Sequence, residues 1–477
     1  MTMMIDAPTA GSGALARLAR VVGRDEEVPL ADGRTRRYVN CDNAASTPAL
    51  QSVADAVDRF LRWYSNVHRG TGFKSRLSSW AFEEARAIVA RFVGADPATN
   101  VVIFTRNATE GLNRLAHRYP FRKDGVVLTS VMEHHSNELP WRRVARVVHV
   151  AVSGDGHFDV ADLEAKLTEY RGRVQLVALT GASNVTGYVN PIHTFARLAH
   201  AAGAEIAIDA AQLAPHRPLD MKPDGHPEHL DYVVLSGHKM YAPYGVGALI
   251  GPRRVFLEGA PDLVGGGTVD IVNLEDAYWT DLPDKEEAGT PDIVGAVAVA
   301  RAIRVMEEIG WDAIIAHERA LTARALERLA RIPGVTVYGG TDLAMPGDRL
   351  GTIAFNVDAL PHALVAAVLA YEHGIGVRNG CFCAHPYVKA LLHVTADEAQ
   401  AMETRIRGRD RSAIPGAVRM SFGIYNTDED VDLACEAIAA IAGGARRRDY
   451  RLDAERGVYT LPGADDAFER YFSFAGE

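Results

Sequence analysis

The sequence predicts an α/β fold on a mainly parallel sheet, and three observations support this. Between about residues 38 and 292, short apolar runs alternate with longer helical patterns. The runs are continuously apolar, as in parallel strands that are covered on both faces. At 477 residues the chain exceeds the size at which one hydrophobic core keeps growing, so we expect a second domain.

The elements of the first domain follow in order along the chain. Candidate strands are residues 101–104, 126–129, 174–180, 205–208 and 232–235, and the helices between them include residues 79–92, 109–117 and 193–202. In such doubly wound sheets, ligands bind beyond the carboxyl ends of the strands. Polar clusters follow several of these strands, so we expect the functional site at that edge.

The pattern changes after Pro291. Helical stretches at residues 293–309 and 311–332 precede strand-like pieces at 335–338 and 352–356. We predict a large domain over residues 38–292 and a smaller α+β domain made of 1–37 and 293–445. Residues 387–416, with a charged helix at 396–407, resemble an insertion, and 446–477 are predicted to be a C-terminal extension.

Composition excludes several classes of protein. The 61 acidic against 51 basic residues give a net charge of -10, which offers no electrostatic footprint for nucleic acid. No apolar run reaches membrane-spanning length and no secretory signal is evident, so we expect a cytoplasmic protein. The four cysteines lack the spacing of a disulfide scaffold or zinc site, and no metal site is predicted.

Lys239, in the segment Ser236-Gly237-His238-Lys239, directly follows a predicted strand. Partial desolvation at a strand end favours the neutral amine that attacks an aldehyde. An isolated motif this short is more often a surface loop, so the segment needs independent support.

Asp209 supplies that support. It ends a predicted strand thirty positions before Lys239, a gap that fits one strand–helix–strand unit and brings both residues to one sheet edge. Pyridoxal phosphate (PLP) needs a carboxylate against its pyridine nitrogen, because the protonated ring is the electron sink. Without Lys239 and Gln212, the position of Asp209 would indicate an ordinary helix N-cap. Gln212, three residues on, is placed to donate to the phenolic oxygen of the cofactor.

From about residue 40 to 433 the chain resembles the class V aminotransferase fold group, and within it the SUF-type cysteine desulfurase and selenocysteine lyase branch. Seven motifs match in order: residues 66–70, 106–111, 133–137 with 140–141, 183–187, 209–212, 236–239 and 288–291. The resemblance implies PLP-dependent transferase fold type I, with a mainly parallel seven-stranded sheet. It also implies a homodimer that carries PLP as a Schiff base on Lys239.

Residues around the predicted helix at 109–117 suit a phosphate. Thr109 follows a strand and opens this helix, so its N–H, its hydroxyl and the helix dipole favour a dianion. Ala108, Ser236 and His238 are further candidate cofactor ligands. The resemblance implies that Thr290 reaches the phosphate of the neighbouring subunit.

The resemblance assigns further roles. His134 matches the histidine that stacks on the pyridine face and moves protons, while His135 reads as structural. Asn184 matches the residue between the cofactor oxygen and the substrate carboxylate. Arg419 matches the arginine that binds this carboxylate with two parallel donors. Arg378 is a second candidate substrate ligand.

Cys383 matches the loop cysteine of SUF-type desulfurases, whose thiolate accepts sulfur from the substrate as a persulfide. Three roles stay open for Cys381: a resolving partner, a persulfide acceptor or an inert residue. Two buried, unreactive cysteines remain the alternative, because free cysteine is among the most buried residue types. The 36 positions from Cys383 to Arg419 exceed the SUF-type spacing, and Cys381 and Phe382 stand where histidines are common.

The predicted function is desulfuration of L-cysteine to alanine, with Lys239, Cys383 and His134 as catalytic residues and a sulfur-acceptor protein as a possible partner. A second reading is another class V PLP enzyme, such as a selenocysteine or C–S lyase, an epimerase or an aminotransferase, with incidental cysteines. A third is a sulfur-carrying or scaffold protein on a degenerate cofactor fold. Fold alone does not choose between these.

Overall fold

The computed structural model describes residues 15, 17–68, 70–341, 348–465 and 467–475. A seven-stranded sheet organises its larger part. From edge to edge the strands are Asn100–Thr105, Gly247–Pro252, Tyr232–Ser236, Glu205–Asp209, Val174–Thr180, Val126–Ser130 and Arg146–Val150. Only Gly247–Pro252 runs antiparallel to its neighbours within this sheet. The predicted α/β architecture with a mainly parallel seven-stranded sheet is confirmed.

Helices cover both faces of this sheet. The α-helices of the structure span Gln51–Leu61, Phe73–Phe92, Ala108–Arg118, Val160–Glu169, Ile192–Ala201, Arg253–Leu257, Ile293–Ile309, Trp311–Leu329, His362–His373, His385–Leu391, Ala396–Arg407 and Asp428–Ala442. None of the helices in the described part of the chain is both long and apolar enough to cross a bilayer.

Two strands of the large sheet were missing from the predicted set. Arg146–Val150 is an edge strand in which only Val150 is fully buried, so it lacks a continuous apolar run. Gly247–Pro252 contains two glycines and a proline, which weaken a strand pattern. At Gly247 a Cβ atom would lie 2.7 Å from the Asn107 Cα atom, so glycine permits the strand to pack against the start of the Ala108–Arg118 helix.

A second, smaller sheet is antiparallel and has four strands. Their order from edge to edge is Val335–Tyr338, Thr352–Val357, Ala417–Ser421 and Arg378–Gly380. The helices Trp311–Leu329, His362–His373 and Asp428–Ala442 contribute buried residues to its core. This is the predicted smaller α+β unit.

The helix Ile293–Ile309 belongs to the hydrophobic core of the large sheet. It packs against Gln51–Leu61 and Phe73–Phe92, because its many alanines allow close approach. The core therefore continues beyond residue 292, and the domain boundaries themselves stay a prediction.

The remaining strands form four separate pairs, three of them between strands that are close in sequence. They form the hairpins Glu27–Pro29 with Thr35–Arg37, Val269–Val272 with Ala277–Trp279, and Arg451–Asp453 with Val458–Thr460, and the parallel pair Val39–Asn40 with Ile375–Gly376. The predicted insertion and C-terminal extension meet, since Arg411 N donates to the Ala454 carbonyl at 2.7 Å.

Candidate active site

Two neighbouring parallel strands bring Asp209 and Lys239 to one edge of the large sheet. Asp209 ends the strand Glu205–Asp209, and Lys239 lies in the 3-10 turn that follows Tyr232–Ser236. Both side chains line one pocket of about 220 Å³. The predicted meeting of amine and carboxylate at a strand edge is what the backbone produces.

The pocket collects nearly all the predicted site residues. Its lining includes Ala108, Thr109, His134, Asn184, Asp209, Gln212, Ser236, His238, Lys239, Arg378, Cys383 and Arg419. Thr290 differs, because it is exposed and does not line the pocket of its own chain.

Burial tunes the two central groups. It lowers the pKa of the Lys239 ammonium to about 8, opposed by the negative charge of Asp209 and reinforced by Arg419. Burial also raises the pKa of the Asp209 carboxyl, while a 3.0 Å hydrogen bond from Ala211 N and the charge of Lys239 oppose that rise. The neutral, nucleophilic form of the Lys239 amine is therefore far more populated near neutral pH than in an exposed lysine.

Two histidines of the pocket are neutral. Burial, and then the charge of Lys239, lowers the pKa of His134 to about 3 and that of His238 to about 4. The His134 Nδ1 atom accepts a hydrogen bond from Ser136 N at 3.1 Å. A neutral ring with this acceptor carries its proton on Nε2, so His134 presents an apolar face and one polar edge.

The start of the helix Ala108–Arg118 forms one end of the pocket. Ala108 N donates to the Ser236 hydroxyl at 2.8 Å, which ties the helix to the lysine segment. The hydroxyls of Thr109 and Ser136 lie 2.7 Å apart. Hydroxyl donors grouped at a helix N-terminus are the surroundings that stabilise a phosphate dianion.

Gln212 is placed differently from its predicted donor role. Its amide nitrogen donates to the Ala44 carbonyl at 2.7 Å, so this donor is already engaged. The Oε1 atom is buried and has no hydrogen-bond partner in the described part of the chain. The unsatisfied atom of Gln212 is thus an acceptor, suited to a protonated oxygen or a bound donor.

Arg419 forms the opposite end, on the strand Ala417–Ser421. One guanidinium nitrogen donates to the Asn184 carbonyl at 2.9 Å and another to Asp42 at 3.0 Å. Its Nε atom is buried without a partner among the described residues. Arg378 is paired with Arg419 across the strands and lies 4.0 Å from Asp42. Asp42 thereby holds the cationic end together.

Cys383 sits on a loop that closes the pocket. Its thiol is exposed, unlike those of the other three cysteines. Phe382 and Cys383 both have left-handed backbones, with φ of 51° and 55°, which costs free energy in residues other than glycine. The loop is held by Asn184 Nδ2, which donates to the Phe382 carbonyl, and by His135 N, which donates to that of Cys383, each at 2.7 Å.

Phe382 covers the cationic end of the pocket. The ring centroid of Phe382 lies 5.0 Å from the Arg419 guanidinium carbon, a cation–π distance. Cys381 faces away from this pocket, and its thiol donates to the Pro415 carbonyl at 3.1 Å. Burial raises the pKa of the Cys381 thiol to about 11, so it is protonated at neutral pH.

The residues of this site that the sequence did not predict include Asp42, Ser136 and Phe382. Ser136 lies inside a matched motif, and Phe382 lies between the two loop cysteines, so their places in the sequence could have identified both as site residues. Asp42 precedes every matched motif and carried no signal. His135 is structural as expected, since its Nε2 accepts from His385 N at 3.2 Å. Arg69, within the matched motif 66–70, lies outside the described residues.

These residues fit PLP. The lysine amine suits the aldehyde of the cofactor, and the buried carboxylate suits its pyridine nitrogen. The hydroxyls at a helix N-terminus suit its phosphate, and the unsatisfied Gln212 Oε1 atom suits a polar ring substituent.

Comparisons with known proteins agree with this chemistry. A cysteine desulfurase of Haloferax volcanii is 35% identical over 435 residues, which are 89% of this chain and 94% of that protein. A probable cysteine desulfurase of Halalkalibacterium halodurans is 37% identical, over 84% of this chain and 92% of that protein.

Solved structures show the same fold. The apo structure of a cysteine desulfurase from Thermococcus onnurineus has a TM-score of 0.75 at 32% identity, over 85% of this chain and 95% of that one. The cysteine desulfurase CsdA (S-sulfonic acid) from Escherichia coli has a TM-score of 0.71 at 28% identity, over 86% and 96%. The predicted fold type I architecture is confirmed.

The family model described as aminotransferase class V matches residues 39–433. This family is PLP-dependent. The match spans both sheets and every residue placed in the pocket above. The chain therefore belongs to the class V aminotransferase family.

Proposed function

We propose that this chain is a PLP-dependent cysteine desulfurase that transfers the sulfur of L-cysteine to Cys383 and releases alanine. The observation that carries the proposal is an exposed thiol lining the same pocket as a desolvated lysine and a buried carboxylate. The similarity to proteins named cysteine desulfurases supports it.

The bound cofactor supplies an electron sink for the electrons of the substrate Cα–H bond. Lys239 holds the cofactor through its amine and then moves the proton at the substrate Cα, a task suited to an amine with a pKa of about 8. Asp209 keeps the ring nitrogen protonated. Ala108, Thr109, Ser236 and His238 would hold the phosphate, and His134, which lines the same pocket, would exchange protons during the reaction.

Arg419 orients the substrate by its carboxylate, with Asn184 and Arg378 beside it. The Cys383 thiolate then takes the sulfur atom, so that the enzyme carries a persulfide and the substrate carbon leaves as alanine. Overall, cysteine and a thiol become alanine and a persulfide, with no external oxidant or reductant. Its exposed position allows Cys383 to pass this sulfur to an acceptor, which we propose is a protein.

The test is to incubate the purified holoenzyme with L-cysteine and to measure both alanine and a mass gain of one sulfur on the Cys383 peptide. Cys383→Ala is expected to lose both while retaining the visible absorbance of its cofactor. Cys381→Ala is the matched control and is expected to keep both, because its buried, protonated thiol is a poor nucleophile.

Undiminished turnover in Cys383→Ala would reject desulfuration and favour another class V activity with incidental cysteines. Colourless protein that takes up no added PLP would instead favour the scaffold reading.

We further propose a homodimer in which Thr290 completes the neighbouring site. Thr290 is exposed and away from its own pocket, and exposed apolar residues occur nearby in sequence: Val264, Ile271, Val272 and Leu274. Light scattering is expected to give twice the 51.6 kDa chain mass. Thr290→Ala is expected to weaken PLP binding about tenfold through loss of a hydrogen bond to a charged group. A monomer with full PLP affinity would reject this arrangement.

The cytoplasmic location stays a prediction.

A further inference from the structure

A second cavity of about 370 Å³ lies beside the cysteine loop. We call it the side chamber. Its walls are the strand Arg378–Gly380 with Cys381, the insertion helix Ala396–Arg407 with the segment after it, and the hairpin ending at Thr460. Arg378 lines both the side chamber and the cofactor pocket, whereas Cys383 lines only the latter.

The chamber is preformed by specific hydrogen bonds. Arg411 donates through its backbone N to the Ala454 carbonyl at 2.7 Å and through its guanidinium to the Glu455 carbonyl at 2.6 Å. A His362 ring nitrogen lies 2.9 Å from the Ile414 carbonyl, and Cys381 bonds to Pro415. These contacts join the insertion to the hairpin and to the cysteine loop. The hairpin lies beyond residue 433, where the family match ends.

The charge of the chamber is positive. Arg378, Arg411 and Arg456 line it, and no carboxylate does in the part of the chain that the structure describes. The ion pairs of two of these lining arginines are loose, at 4.0 Å between Arg378 and Asp42 and 3.8 Å between Arg456 and Asp453. Guanidinium groups whose positive charge is so little neutralised by nearby carboxylates favour an anionic ligand. A planar carboxylate matches their paired N–H donors.

The opposite wall is apolar. Met402 is buried there, Ile406 and Ile414 are half-buried, and Val458 extends the surface. An inorganic anion cannot use this wall, whereas a short hydrocarbon stem gains free energy by covering it. The two walls together describe a small organic carboxylate.

We propose that the side chamber binds a small organic carboxylate through Arg411 and Arg456, with its stem against Met402 and Ile406. Because Cys381 and His385 line the chamber and flank Cys383 in sequence, occupancy restrains the loop and slows reactions of the Cys383 thiol. This inference does not depend on the proposed desulfuration.

Calorimetry on the holoenzyme with hexanoate, hexanamide and sulfate tests the binding step. Hexanoate is expected to bind most tightly, and Arg411→Ala/Arg456→Ala to weaken it about tenfold through loss of charge-assisted hydrogen bonds. Arg407→Ala is the control, since this exposed arginine pairs with Glu403 on the same helix and does not line the chamber. Unchanged affinity in the double variant, or hexanamide binding as tightly as hexanoate, overturns the proposal. So does affinity lost only in Arg419→Lys, which would place hexanoate in the cofactor pocket.

Alkylation of Cys383 by iodoacetamide, followed by mass spectrometry, tests the coupling. Saturating hexanoate is expected to slow alkylation severalfold in the unaltered chain and in Arg407→Ala, but not in the double variant. An unchanged rate despite bound hexanoate overturns the coupling. Alkylation needs only an accessible thiol, so this result is separable from whether the protein desulfurates cysteine.

Discussion

The floor of the active site, formed by Lys239 and Asp209, and the loop that carries Cys383 differ in how their backbone is held. Lys239 and Asp209 project from the ends of buried strands, where the backbone is fixed by the sheet ladder on either side. Phe382 and Cys383 instead stand on left-handed backbone, and their carbonyls accept hydrogen bonds from Asn184 and His135. A rigid floor suits groups that must keep one geometry around a ring. A strained loop suits the proposed role of Cys383, in which the thiol moves between substrate and acceptor.

The largest expected effect comes from removing the amine of the floor. Lys239→Ala is expected to lower alanine formation by at least ~10³-fold, because the covalent anchor and the base at Cα are lost together. Steady-state assays of alanine check this against Lys389→Ala, a lysine on the adjacent helix His385–Leu391 outside the pocket. Turnover within about tenfold of normal would show that another lysine carries the cofactor.

The pH dependence of cofactor uptake probes the charges of the floor. The neutral amine reacts with the aldehyde, so the rate of PLP uptake by the apoprotein should rise with pH and level off above about 8. In Asp209→Asn, the carboxylate charge that raises the Lys239 pKa is gone. The plateau is therefore expected at lower pH, as rapid-mixing absorbance would measure. A plateau shifted to higher pH contradicts the assigned interaction.

The smallest expected effect concerns the loop. Phe382→Gly removes both the left-handed strain and the ring that covers Arg419. The ring competes with the substrate carboxylate for the Arg419 guanidinium, so loss of this buried cation–π contact predicts a roughly severalfold lower KM for cysteine. The mobile loop should also lower kcat. Phe382→Tyr keeps both the left-handed strain and an aromatic ring over Arg419, and a KM as low as that of the glycine variant would reject this account.

The same contrast explains what could be predicted from the sequence. Lys239, Asp209 and Thr109 were predictable because strand ends of a parallel sheet converge wherever the helices pack. Asp42 was not, because its contact with Arg419 joins residues 377 positions apart and depends on tertiary packing. The side chamber also escaped prediction, since it arises only where an insertion and a C-terminal hairpin meet.

The arrangement of Arg419 has a consequence for analogue discrimination. Each terminal nitrogen of Arg419 donates one hydrogen bond, to Asn184 or to Asp42, and the buried Nε–H has no partner among the described residues. A decarboxylated analogue such as cysteamine leaves this donor unpaired, and a buried unpaired donor costs about 1–3 kcal/mol. Because the protein leaves donors of the Arg419 guanidinium unsatisfied, we expect the site to prefer α-amino acids over simple aminothiols.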